Sequence, residues 1–224
     1  MVGRHASRGI GIGYNRPIDN KMNIDQLTRC KAFIAGLPVL KALGWDTWIP
    51  FTHAWHESGA FSVLNDSGVV SEDRTAMLTG HNYWGIKKRK AWAGPVVRIA
   101  TGEWMPHRAD PNTYKSDPDF IKVLRLSDDK KLDRILVRAD FMAFTGIDQA
   151  LLWYDDFIKT SPNYCDAYAK RDNYLLFFKL LMNHDKPGEQ SYATNPSYAA
   201  ENEAAYRVLK SRPELVAMFA ERGA

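Results

Sequence analysis

Long apolar runs are missing from this sequence: no stretch approaches the roughly 20 consecutive apolar residues that a membrane-spanning helix needs, so no helical span is expected. Cysteine is scarce. Cys30 and Cys165 are the only two in 224 residues, without the spacing of a thiolate zinc site, and whether they pair is open at this level. No Gly/Ser/Pro linker divides the chain, and no internal repeat or low-complexity tract does, which favours one domain with extensions. Residues 1–23 are basic and glycine-rich and lack an apolar h-region, so no ordinary secretory signal is expected. Neither charge sign dominates: 30 basic and 26 acidic residues leave a formal +4. The basic residues are scattered apart from Lys87-Lys88-Arg89-Lys90, which reads as a solvated hairpin tip or a patch facing an anionic polymer. No nucleic-acid motif accompanies it, so nucleic acid is not an expected partner.

What is present is apolar and aromatic. Hydrophobic residues make up 45% and aromatic residues 12%, with seven tryptophans, enough for a folded chain with a substantial core. Residues 1–21 read as an extended arm; Gly9-Ile-Gly-Ile-Gly13 has no strand before it and is not a dinucleotide fingerprint. From Ile24 a helical stripe runs to Leu37, Pro38 interrupts it, and a short helix ends at Gly44. Asp46 or Thr47 then caps a helix with Pro50 in its first turn. Residues 62–80 read as a polar loop. Asn82–Lys87 and Ala91–Ile99 read as the strands of a hairpin turning at 88–90. The charged stretch of about 105–136 reads as an insertion with one helix candidate near Phe120–Leu126. Helices follow at Ile147–Ile158, with Ala150, Leu151, Tyr154 and Phe157 inward, at about Cys165–Met182, at Pro196–Leu209 and at Pro213–Arg222. The expected class is α+β, mainly helical with a small antiparallel β-hairpin lobe.

Chemistry concentrates between Pro50 and Trp104. Glu57 closes its helix, against the negative end of the helix dipole and among tryptophans, an environment that raises a carboxyl pKa and keeps it protonated. Glu103 supplies a second acid near the hairpin, and Tyr83, Trp84 and Trp92 supply faces on which sugars stack. Two carboxylates framing aromatic faces are what a polysaccharide-cleaving cleft requires. Asn82 and Lys87 are candidates to bond N-acetyl or peptide groups. His53 and His56 lie one helical turn apart but lack a third ligand, so neither a metal nor another cofactor is expected.

Six motifs in order carry a resemblance: His-Glu-Ser-Gly (56–59), Asn-Tyr-Trp-Gly-Ile-Lys (82–87), Trp92 with Gly94, Thr101-Gly-Glu103, Phe141-Met-Ala-Phe144 and Tyr-Ala-Thr-Asn-Pro-Ser-Tyr-Ala (192–199). Over about residues 45–209 the chain resembles the N-acetylglucosaminidases of glycoside hydrolase family 73, which include autolysins, the flagellar peptidoglycan hydrolase and phage lysins. The resemblance implies a lysozyme-like helical fold and cleavage of the β-1,4 bond after N-acetylglucosamine in peptidoglycan. Glu57 is then the catalytic acid, Glu103 matches the hairpin carboxylate and Tyr192 the aromatic of the cleft floor, while Tyr198 is expected to pack. The family's usual Phe-Arg-x-Tyr stands here as Phe141-Met142-Ala143-Phe144, and Trp84 replaces a common phenylalanine. Glu-Ser-Gly-Ala-Phe (57–61) also resembles the Glu-Ser motif of lytic transglycosylases, the second reading. The third is a virion protein that keeps the fold for docking through the arm and the insertion. A phage endolysin or virion enzyme is the expected setting, with peptidoglycan strands and phage tail proteins as partners. Its expected location is the virion, or the host cytoplasm before release to the wall.

Overall fold

A computed structural model gives the architecture and describes residues 22–65, 67–126, 131–182, 192–193 and 197–224; the arm expected over 1–21 lies outside them. Helix α1 (Ile24–Gly36) starts at a capping box in which Asn23 accepts from the Gln26 amide and Gln26 answers at the Asn23 amide. Pro38 opens α2 (Pro38–Ala42), and α3 (Trp48–Glu57) follows. Thr47 holds the N-cap position without a side-chain bond, and the Asp46 carboxylate accepts from the Trp48 amide at 3.1 Å in its place. Helices α5 (Ile147–Thr160), α8 (Tyr198–Lys210) and α9 (Pro213–Arg222) stand close to where the apolar periodicity places them.

Four local expectations change. The loop of 62–80 contains α4 (Glu72–Thr79), because Ser71 caps it and Glu72 and Asp73 fill the first turn. The antiparallel lobe is present but shares only Val96–Ile99 with the expected strands: it is built from β1 (Val96–Pro106), β2 (Phe120–Arg125) and β3 (Leu132–Met142), in the order β1-β3-β2. Residues 82–87 are a loop instead, in which Asn82 Nδ2 donates to the Ile86 and Met142 carbonyls at 2.8 and 2.7 Å and Asn82 Oδ1 accepts from the Ile86 amide. The stretch 105–136, expected as an insertion with a helix, supplies β2 and the start of β3; its β-branched alternation favours strand over helix. The helix expected over 165–182 breaks into α6 (Cys165–Tyr168) and α7 (Tyr174–Leu181), since the Asn173 side chain accepts from the Leu176 amide and starts a new helix.

The helices enclose an aromatic core around Phe33, Phe51, Phe61, Trp84, Tyr154 and Phe178, all 1% exposed or less. One face of the sheet is covered, by Met77 of α4 on Ile99 and Phe141, and by Tyr114 on Ile135 and Val137. Both cysteines are free thiols, Cys30 buried and Cys165 exposed.

Candidate active site

Helix α3 is buried almost all round: of its ten residues only His56 is not fully buried. A helix buried on nearly every side belongs to the core, and this one, which carries Thr52 and His53 inside as well, delivers its last residue, Glu57, with a side chain only 2% exposed. Burial pushes the Glu57 carboxyl from 4.5 up to about 8, while a hydrogen bond from the Tyr198 hydroxyl to Oε1 pulls it the other way. At neutral pH the group is therefore a carboxylic acid. Because Oε1 accepts from tyrosine, Oε2 is the oxygen left to carry the proton.

One turn earlier, His53 is wholly buried with Nε2 4.0 Å from Glu57 Oε1 and Nδ1 2.8 Å from the Tyr154 hydroxyl. Burial holds its pKa well below 6.5, so it is a neutral ring and supplies no counter-charge that would ionise Glu57. Beyond Glu57 the chain reverses through Gly59, Ala60 and Phe61 at φ of 66°, 63° and 53°. Left-handed backbone costs a residue with a Cβ roughly 1–2 kcal/mol. The turn is held by Arg29 Nε to the Phe61 carbonyl at 2.6 Å, Gln26 Nε2 to the Ala60 carbonyl at 3.1 Å and the Phe61 amide to Ser58 Oγ at 3.0 Å.

Glu57 lines a cavity of about 160 Å³ together with Asp73, Arg74, Asn82, Tyr83 and Ala100. Of the residues singled out in the sequence, Glu57, Asn82 and Tyr83 meet here. Tyr83 sets its hydroxyl 3.1 Å from His81 Nδ1. Asn82 has its amide committed to the backbone, so it shapes the wall rather than offering free donors. Glu103 lies on the same face of β1 as the cavity residue Ile99 but four residues on, roughly 13 Å along the strand, with Lys87 Nζ 2.5 Å from its Oε2 and Thr101 Oγ1 3.2 Å from its Oε1. Trp84 is a correction: it is 1% exposed and stacks on Tyr154 at 4.3 Å, inside the core. Trp92 is half-buried away from the cavity, its Nε1 donating to the Pro95 carbonyl at 2.8 Å and its ring edge-on to Phe144. Tyr192 donates to the Trp84 carbonyl at 3.0 Å and packs against His53; the tyrosine on Glu57 is Tyr198.

Asp73 is a site residue that the sequence did not single out, and Tyr198, expected only to pack, bonds the Glu57 carboxyl. Asp73 Oδ2 accepts from the Ala100 amide at 3.3 Å, and the Ser71-Glu72-Asp73 helix-start signature could have placed it. Tyr198 is the last tyrosine of the motif that begins at Tyr192. No group of three His, Cys, Asp or Glu among the described residues is arranged to hold a metal ion.

No protein-family model matches the sequence, and no curated protein does. Among solved structures, the chain is similar to a peptidoglycan hydrolase mutant from Sphingomonas sp. A1 at 19% identity and a TM-score of 0.53, over 88% of this chain and 99% of that one. It is also similar to the catalytic domain of the autolysin Auto from Listeria monocytogenes, at 15% identity and a TM-score of 0.51, over 91% and 89%. An N-acetylmuramoyl-L-alanine amidase from Staphylococcus aureus shares 19% identity at a TM-score of 0.51, over 88% of this chain and 44% of that one. The fold of this chain is the mixed α+β, lysozyme-like fold that it shares with these solved structures.

Proposed function

We propose that the chain is a peptidoglycan hydrolase that cleaves the β-1,4 bond after N-acetylglucosamine, with Glu57 as general acid. One observation carries this: a glutamate whose carboxyl is held protonated near neutrality lines a cavity, in a fold shared with a peptidoglycan hydrolase. In this reading the Oε2 proton passes to the glycosidic oxygen as the C–O bond breaks, and the positive charge that develops on the sugar needs a second carboxylate or the substrate's own N-acetyl oxygen. Glu103 and Asp73 both answer to the carboxylate role, Glu103 by its motif and Asp73 by lining the cavity. Asp73→Asn and Glu103→Gln assign it: the one that faces the anomeric carbon loses activity about 10²-fold or more with little change in KM. Tyr192, its hydroxyl bound to the Trp84 carbonyl, belongs to the cleft floor. We place the enzyme in a phage particle or an infected host, on the basic, glycine-rich first 21 residues; its detection in purified virions tests this.

Mass spectrometry of digested peptidoglycan tests the reaction. Reducing N-acetylglucosamine ends are expected. Anhydro-muramyl ends would make it a transglycosylase, and no cleavage by a folded wild type would leave a docking protein.

The acid also sets a pH dependence. Glu57 works protonated, so kcat/KM should fall about tenfold per unit once the pH rises through about 8. Tyr198 pulls the carboxyl down, so Tyr198→Phe should move that limb to higher pH while lowering kcat. An unmoved limb would mean that the titration belongs to another group.

A further inference from the structure

The sheet has a second face, and none of the described elements covers it. Helix α4 and Tyr114 pack on the side that carries Ile99, Ile135, Val137 and Phe141. Side chains alternate along a strand, so Ala100, Gly102 and Trp104 of β1 point to the other side, beside their cross-strand partners Arg138, Leu136 and Arg134. From β2, Lys122 stands opposite Leu136. This open face is built in a particular way. A Cβ on Gly102 would come within 3.1 Å of Arg134 Nε and 3.3 Å of Leu124 Cδ1, so glycine lets both side chains lie flat across β1. The Arg134 guanidinium lies over the Trp104 ring, 6.0 Å from its centroid, and Trp104 is 36% exposed.

Charge on this face is one-sided. Arg98 is paired, with Asp119 and with Asp140, but Arg134, Arg138 and Lys122 have no carboxylate partner among the described residues. Arg134 therefore sits beside an exposed tryptophan, with Lys122 and Arg138 farther along the same face, opposite Leu136 and Ala100. The cavity reaches the edge of β1 at Ala100, whose amide donates to Asp73 Oδ2, and Trp104 lies four residues on along that strand, roughly 13 Å away.

We propose that this sheet face is a secondary binding platform for the peptidoglycan strand, outside the cleft, with the Trp104 ring stacked on a sugar and Arg134, Arg138 and Lys122 paired with carboxylates of the stem peptides. Flat apolar sugar faces suit an aromatic ring, and a polymer bearing regularly spaced carboxylates suits an unpaired cation strip. The platform holds the polymer while the cavity acts on one bond of it, so it contributes to polymer binding and not to the chemical step. The proposal rests on the reading of the chain as a peptidoglycan hydrolase.

The test uses the full chain and sacculi stripped of covalently attached anionic polymers. In a Glu57→Gln background, Trp104→Ala is expected to weaken sedimentation with sacculi about tenfold. Arg134→Gln with Arg138→Gln is expected to weaken it similarly and to flatten its salt dependence. With Glu57 present, the same substitutions should raise the apparent KM on sacculi and leave kcat/KM on a short soluble muropeptide within about twofold. Circular dichroism and melting confirm that each variant is folded. A wild type that cleaves sacculi, with variants that bind them undiminished, overturns the platform alone. Binding that disappears once the attached anionic polymers are stripped also overturns it. A folded wild type that cleaves no peptidoglycan overturns the enzymatic reading and the platform with it.

Discussion

Glu57→Gln is expected to remove hydrolysis of peptidoglycan and to raise the melting temperature in the same protein. The amide keeps the shape of the side chain and can still accept from Tyr198 through Oε1, but it has no proton to give. General acid catalysis contributes about 10²- to 10⁴-fold, so kcat should fall by at least that range, with KM changed much less. The stability effect has a definite sign. The carboxyl titrates at about 8 in the fold against 4.5 for an unperturbed group, so between those values the native state holds a proton that the unfolded chain has released. Wild-type stability is then fullest below about pH 4.5 and declines as pH rises to about 8, by up to about 1.4 kcal/mol per unit. Above that it is flat with respect to this group. Glutamine has no such decline, so the variant's advantage should grow from pH 5 to pH 8 and then level off. Paired melting curves across that range and turnover of sacculi check both halves. A variant that is inactive but no more stable at pH 8 would mean that Glu57 is solvated and ionised, and the acid role would need another source for its proton.

The two halves of this prediction were unequally legible in the sequence. Glu57 could be picked out because it stands at the end of a helix among tryptophans, just before Gly59, in the His-Glu-Ser-Gly motif. Most helices could be placed for the related reason that their inward residues repeat at the helical period, as Ala150, Leu151, Tyr154 and Phe157 do. The sheet could not. β1 pairs with β3 across a gap in which Ala100 meets Arg138, and nothing local in either strand names its partner. The nearest alternation, Asn82–Lys87 against Ala91–Ile99, offered a closer hairpin that the structure does not make, since the Asn82 amide pins its own segment as a loop. The bond from Tyr198 to Glu57 escaped for the same long-range reason: the two lie 141 residues apart, and the motif that holds Tyr198 does not say which residue its hydroxyl meets. The partner of an acid is set by packing of α3 against α8, which periodicity does not report.

Trp84→Ala is expected to cost about 3–5 kcal/mol of stability, the range for removing a large buried aromatic side chain, and to change substrate affinity little. Its place in a motif beside Tyr83 suggested a sugar platform, but the ring is 1% exposed, stacked on Tyr154 at 16° and edge-on to Phe33 at 5.8 Å. Removing it leaves a hole that the neighbours cannot close without moving Tyr154. That movement reaches the site, because the Tyr154 hydroxyl fixes His53 Nδ1 at 2.8 Å and His53 lies against both Glu57 and the Tyr192 ring. At about 2–4 °C per kcal/mol for a chain of this length, the melting temperature should fall by roughly 10 °C. Activity per folded molecule, measured well below the new melting point, should drop through kcat by about tenfold as the acid loses its fixed position, with KM on peptidoglycan held within about twofold. Trp84→Phe should recover much of the stability, because it refills part of the space and removes an indole N–H that has no hydrogen-bond partner among the described residues. A Trp84→Ala protein that melts like the wild type but shows a KM raised tenfold would put the ring on the substrate instead. The stack on Tyr154 would then have to open when the polymer binds.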